Sequence, residues 1–159
     1  MQLNRIAVSI FFLINGFLYG NWAARLPGLQ QFYHISNSEL GALLFTMALG
    51  AILAMPFTGV FTAFIGNKKL TFLAALLFCL LIPLIAMWPN YAVASVVFFG
   101  IGVSSGSLDV SMNGQAVYVE RLYGRPIMSS FHAVFSIGMP WDRAQGRCLP
   151  GCKHRFPSI

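Results

Sequence analysis

Apolar stretches with few charges, separated by short polar segments, make up most of the chain. The longest cover residues 6–24, 39–65, 70–87 and 91–119, and a shorter one covers 127–138. A membrane-spanning helix needs about 20 mainly apolar residues. The pattern therefore predicts four complete spans and one partial span, in a transmembrane region that covers residues 1–138.

Local signals mark the ends of these predicted helices. Segment 25–38 contains Pro27 and several polar residues, which predicts a loop after the first span. Ser36 and Glu39 have the spacing of a capping box, in which each side chain binds the other residue's backbone at a helix start. Trp22, near the end of the first span, and the Trp88-Pro89-Asn90 turn are typical of the membrane interface.

The first apolar stretch has a second interpretation as a cleaved secretory signal. Arg5 would then be its basic start, and Ala23-Ala24 would lie near the cleavage site. Signal peptides have apolar cores of about 7 to 15 residues. The 19 residues of this stretch favour a membrane span.

Composition excludes a soluble domain. Of the 159 residues, 57% are hydrophobic and 9% are charged, and the mean hydropathy is +0.72. Soluble domains contain about 25% charged residues. We therefore expect an all-α fold, a polytopic membrane helical bundle, whose main partner is the lipid bilayer.

The net charge of +6 indicates orientation rather than nucleic-acid binding, for which a basic soluble face would be needed. Basic residues collect on the cytoplasmic side of membrane proteins. With a cytoplasmic N-terminus, Arg25 alone faces outward, and five bases of the spanning region face inward. Those five are Arg5, Lys68, Lys69, Arg121 and Arg125.

Residues 139–159 differ from the rest of the chain. This segment holds four of the ten bases and two of the three cysteines, and it lacks helical periodicity. We expect a non-native-looking or disordered tail, which a frameshift or truncation would explain. Cys148, Cys152 and His154 do not have a recognised zinc spacing, so we predict no metal and no cofactor.

Asp109 is the most informative residue, because an acid inside a membrane span is costly and generally has a function. Asn113 follows it by one helical turn, and Ser105 precedes it by one turn, so the three share a polar stripe. An alternative is that the fourth helix ends at Asp109, which would place the acid among the headgroups.

Other polar and small residues occur within the apolar stretches. Asn15 and Asn21 in the first helix are suited equally to interhelical hydrogen bonding and to lining a cavity. His132 in the partial span is a candidate for proton exchange, although a lone histidine is more often structural. Gly102 and Gly106 have the spacing of close helix packing, and packing without solute contact is the favoured interpretation.

No catalytic pattern accompanies these residues. The sequence lacks a glycine-rich phosphate motif, a nucleophile triad in a soluble pocket and a pair of catalytic carboxylates. We therefore do not predict an enzyme.

Three segments resemble the fucose-permease-like branch of the major facilitator superfamily. The fourth-helix segment is similar to its G-x-L-E-x-x-x-N motif, with Asp109 in place of glutamate. The residues after Gly59 look like a degenerate form of the superfamily's G-x-L-x-D-R-x-G-R-K loop motif. The matching segments, including two in and after the first helix, are Gly106-Ser107-Leu108-Asp109-Val110-Ser111-Met112-Asn113, Gly59-Val60-Phe61-Thr62-Ala63-Phe64-Ile65-Gly66-Asn67-Lys68, Phe11-Phe12-Leu13 and Leu26-Pro27 with Gln30-Gln31.

Two departures from the family's pattern limit what the resemblance implies. Ala63 and Phe64 stand where the loop motif has aspartate and arginine. The first predicted span contains no acid near Trp22, where the family's proton-coupling residue falls.

The resemblance implies the N-terminal four to five helices of a twelve-helix transporter of the bacterial inner membrane. Its cargo would be a small polar solute, such as a sugar. The residues expected to bind the solute are Asp109, Asn113, Asn15 and Asn21, and those expected to couple protons are Asp109 and His132. The alternatives are an inactive truncated fragment, or a small membrane adaptor that forms oligomers through its glycine-rich helix faces.

Overall fold

Five α-helices account for nearly all of the described chain. The computed structural model describes residues 2–85, 87 and 90–139, so Trp88, Pro89 and the predicted tail beyond residue 139 lie outside it. The helices are α1 Gln2–Tyr33, α2 Asn37–Ile65, α3 Asn67–Ile85, α4 Tyr91–Tyr123 and α5 Met128–Gly138. The described residues contain no strand, which confirms the predicted all-α fold.

The predicted loop at 25–38 is wrong over most of its length, because α1 continues through Pro27 to Tyr33. Proline removes one backbone hydrogen bond, but packing against neighbouring helices can offset this loss. Leu26, Leu29 and Tyr33 pack against the same apolar cluster as Ile85 of α3. The Tyr33 hydroxyl also donates to the Ile85 carbonyl oxygen, which anchors the end of α1.

The predicted capping box at the start of α2 is confirmed. The Ser36 backbone N–H donates to the Glu39 carboxylate at 2.8 Å, and the Glu39 N–H donates to the Ser36 hydroxyl at 3.3 Å. At the other end of the bundle, α4 ends at Gly124, whose φ of 66° is in the left-handed region that favours glycine.

Helix α4 lies at the centre of the bundle and packs against α2 and α3, whereas α5 packs mainly against α1. Glycines allow these close approaches. A Cβ on Gly102 would collide with the Met47 carbonyl oxygen of α2, and one on Gly16 would collide with the Phe135 carbonyl oxygen of α5. The glycine faces are therefore occupied within the chain, as the packing interpretation predicts.

The outer surface is suited to lipid. Helices α1 to α4 are each long and apolar enough to cross a membrane. Large apolar side chains face outward, among them Phe64 at 80% exposure and Val96 at 72%. Four helices of this length and composition are typical of a protein that crosses the membrane several times.

One end of the bundle carries the five predicted inward-facing bases. Arg5 at the start of α1 lies over the Tyr123 ring at the end of α4, with 5.7 Å between the guanidinium carbon and the ring centroid. The Gln115 amide of α4 donates to the Thr71 hydroxyl, which ties α4 to the start of α3 at the same end. Arg25 lies at the opposite end.

Candidate functional site

The centre of the bundle contains a polar contact between α1 and α4. The side-chain amide of Asn15 donates a hydrogen bond of 2.9 Å to the Asp109 carboxylate. Asn15 is 1% exposed, and α4 continues 14 residues beyond Asp109, to Tyr123. The alternative in which the fourth helix ends at Asp109 is therefore wrong, and the acid lies within the helix bundle.

Two further side chains surround the Asp109 carboxylate. The Tyr19 hydroxyl interacts with both Asp109 and the Ser105 hydroxyl. His132 of α5 lies close enough for a charge interaction with Asp109, and its ring meets Phe12 edge-on at a centroid distance of 5.5 Å. Groups from α1, α4 and α5 therefore converge on one carboxylate.

Tyr19 is a member of this cluster that the sequence analysis missed. Its ring makes edge contacts with Phe78 of α3 and Phe135 of α5, at centroid distances of 5.6 and 6.2 Å. A tyrosine in an apolar helix is not unusual by itself. The available signal was its spacing, because Tyr19 follows Asn15 by one helical turn and so shares its face.

Two buried amide oxygens near Asp109 are left without a hydrogen-bond donor among the described residues. One is Oδ1 of Asn15 and the other is Oδ1 of Asn113. The Asn113 amide nitrogen donates to the Asp109 backbone oxygen at 2.9 Å, so this side chain stays beside the acid. Burying an acceptor without a donor is unfavourable, and each of these oxygens could accept from a different hydroxyl group of a solute.

Asn21 and Trp22 lie outside the group of side chains around Asp109. The Asn21 amide oxygen accepts from the Arg25 side chain at 2.7 Å, in an exposed contact that does not involve Asp109. Trp22 is 8% exposed and meets Phe98 of α4 edge-on, so its ring packs inside the bundle. Its place at the membrane interface and the solute-binding role of Asn21 stay predictions.

The cluster offers a carboxylate, amides, hydroxyls and an imidazole, in apolar surroundings. Such groups form hydrogen bonds with a polar solute, and the carboxylate and imidazole can also exchange protons. Within the described residues, no group of three or more histidine, cysteine, aspartate or glutamate side chains could hold a metal ion.

Comparison with known proteins gives homologues that match most of this chain. It is 35% identical over 139 residues to an uncharacterized transporter of Sinorhizobium fredii, covering 87% of this chain and 37% of that relative. It is 36% identical over 134 residues to an uncharacterized MFS-type transporter of Yersinia pestis, covering 84% of this chain and 35% of that relative. It is 36% identical over 140 residues to membrane protein MosC of Rhizobium meliloti, covering 87% of this chain and 34% of that relative. No family model and no solved structure matches the chain.

The helices and these relatives together indicate a multi-pass membrane protein. More particularly, the chain is similar to proteins named as transporters, one of which is named as an MFS-type transporter. It spans little more than a third of the length of the relatives it matches. Their names describe transporters and a membrane protein, not enzymes.

Proposed function

We propose that this chain forms the solute-binding first helices of a major-facilitator-type secondary transporter for a small polar solute, such as a sugar. The observation that carries the proposal is the buried contact between Asn15 and Asp109, where the amide oxygens of Asn15 and Asn113 have no donor in the described part of the chain. An intramembrane acid with polar neighbours is typical of a transport pathway.

In the proposed mechanism, the solute's hydroxyl groups bind the Asp109 carboxylate and the free amide oxygens of Asn15 and Asn113. Transporters of this class expose such a midplane site to each side of the membrane in turn, by rocking two halves of the molecule. Asn15 on α1 and Asp109 on α4 would belong to the same half, so this part of the site would stay intact while the other half moves against it.

For proton coupling, the proposed residues are Asp109 and His132, which lie near each other on α4 and α5. In this proposal, the pair exchanges a proton with whichever side of the membrane the site is open to.

The proposed location is the bacterial inner membrane with a cytoplasmic N-terminus. The support is the basic end of the bundle, which carries Arg5, Lys68, Lys69, Arg121 and Arg125. The opposite end has Arg25. This difference follows the positive-inside rule.

Transport is proposed for this segment as part of a complete transporter, because the relatives extend well beyond the matched region.

The experiment replaces the aligned segment of the Yersinia relative with residues 1–138 and measures uptake of a panel of radiolabelled sugars and polyols. The chain alone is assayed in parallel. Uptake by the chimera but not by the chain alone supports transport and identifies the isolated chain as inactive.

Variants of the chimera test the residues. We expect Asp109→Asn to abolish uptake and Asn113→Ala to reduce it by about ten-fold, the loss expected for one hydrogen bond to solute. Ser95→Ala is the control, since Ser95 bonds only to the Tyr91 carbonyl at the far end of α4. Unchanged transport in both site variants would remove these residues from the mechanism.

A further inference from the structure

An open groove lies at the basic end of the bundle, between the start of α1, the end of α4 and α5. Its volume is about 580 Å³. Arg5 and Arg125 line its polar end, together with Tyr123. Ile6, Ile10 and Leu13 line the wall that leads toward the bilayer centre.

Among the described residues, no carboxylate forms an ion pair with Arg5 or Arg125. Glu120, five positions before Arg125, accepts instead from the backbone N–H groups of Ile127 and Met128, at 2.8 and 2.7 Å. Two guanidinium groups therefore remain available to an anion.

The Arg5 side chain lies against the aromatic ring of Tyr123. Its guanidinium lies 5.7 Å from the centroid of the Tyr123 ring, which leaves its N–H donors free for other partners. Guanidinium groups bind phosphate oxygens through paired hydrogen bonds, more specifically than ammonium groups do.

The wall of the groove is suited to an acyl chain. Ile6, Ile10 and Leu13 share one face of α1 and are 55%, 49% and 40% exposed. They extend over about 10 Å of helix from the basic end toward the bilayer centre. The arginine pair matches the phosphate group of a phospholipid, and the apolar wall below it matches an acyl chain. A soluble anion would need only the arginines.

We propose that this groove binds an anionic phospholipid, with the phosphate on Arg5 and Arg125 and an acyl chain along the exposed face of α1. Basic pockets between transmembrane helices on the cytoplasmic side bind anionic headgroups in this way. The site is separate from the Asp109 cluster and does not depend on the transport proposal.

The first test is native mass spectrometry of the purified chain after mixing with equal amounts of phosphatidylglycerol and phosphatidylcholine in detergent. We expect the chain to retain phosphatidylglycerol preferentially. Arg5→Gln with Arg125→Gln should lower that retention by about ten-fold, since two charge-assisted bonds are lost. Lys68→Gln with Lys69→Gln is the matched control, because it removes the same charge at the same end and should retain the lipid.

Equal loss in both double variants would overturn the proposal, because net charge alone would then explain binding. Equal retention of the two lipids by the unaltered chain would also overturn it. Inorganic phosphate in excess should not displace the bound lipid, and displacement would show that the site takes a free anion instead.

A second measurement leaves the arginines in place and so does not depend on how their variants fold. A photoreactive benzoylphenylalanine replaces Ile10, and the chain is irradiated in phosphatidylglycerol or phosphatidylcholine vesicles. We expect a lipid adduct mainly in phosphatidylglycerol. Equal adducts in both vesicles, or a cross-link to a second protein chain in place of lipid, would contradict the proposal.

Discussion

Asp109 gains its proposed role from the side chains that surround it. The sequence indicated this residue because charge is costly inside a span, and Asn15 was noted because amides are also unfavourable there. Their contact could not be predicted, because the two residues lie 94 positions apart in the chain, on different helices. Tyr19 was missed because an aromatic residue causes no visible conflict in an apolar helix.

Tyr19→Phe tests the hydroxyl that interacts with Asp109. In the chimera we expect solute affinity to fall by about ten-fold to a hundred-fold, because a hydrogen bond to a charged group contributes about 1.5 to 3 kcal/mol. Affinity is measured by equilibrium dialysis with labelled solute. Tyr118→Phe is the control, since Tyr118 is 62% exposed on the outer surface. Equal affinity in the Tyr19→Phe and unaltered proteins would remove the hydroxyl from the site.

At the scale of single helices, the number and type of elements follow from the apolar pattern, but their lengths depend on packing. The continuation of α1 past Pro27 needs the contacts of Leu26, Leu29 and Tyr33 with neighbouring helices. Such contacts are invisible in the local sequence, where proline predicts an ending. The capping box at Ser36 was predictable because it involves only residues close in sequence.

Gly102→Ala tests the close packing of α4 on α2. A Cβ at this position would collide with the Met47 backbone, so the helices must separate. We expect the substitution to destabilise the chain by about 1 to 3 kcal/mol, measured by unfolding in mixed detergent micelles.

The matched control is Gly59→Ala in α2, where the added Cβ would meet no described atom within 4 Å beyond the adjacent backbone of its own helix. Alanine is favoured over glycine in a helix by about 0.5 to 1 kcal/mol, so this variant should be as stable as the unaltered chain or slightly more so. Similar destabilisation by both substitutions would refute the packing explanation.

Glu120→Ala tests how α5 begins. The carboxylate accepts from two backbone N–H groups at the start of this short helix, and no residue of α5 replaces it. We expect faster hydrogen exchange at residues 127–131, because unsatisfied N–H groups at a helix start are destabilising. The control Arg121→Ala should leave the exchange rates unchanged. If residues 127–131 exchange at the same rate in the Glu120→Ala variant as in the unaltered chain, α5 does not need this cap.

At the scale of the whole molecule, alternating helices place the bases of the spanning region mostly at one end. The sequence predicted this arrangement from the charges and the number of spans. The pairing of α4 with α2 and α3, and of α1 with α5, was not predictable, because it depends on which small residues face each other.

The proposed orientation predicts which positions react from outside the cell. In a variant without native cysteines, a cysteine at Asn37 should react with an impermeant maleimide in intact cells. A cysteine at Lys69 should react only after the membrane is opened. The reverse pattern would show that the N-terminus faces outward.

The central claim is that the polar contact between α1 and α4 binds the transported solute. Its most direct test is equilibrium binding of the labelled solute to the purified chimera, with Asp109→Asn compared with the Ser95→Ala control. The account predicts that Asp109→Asn raises the Kd by at least about ten-fold, while Ser95→Ala leaves it unchanged. Equal Kd values for the Asp109→Asn and unaltered proteins would contradict it.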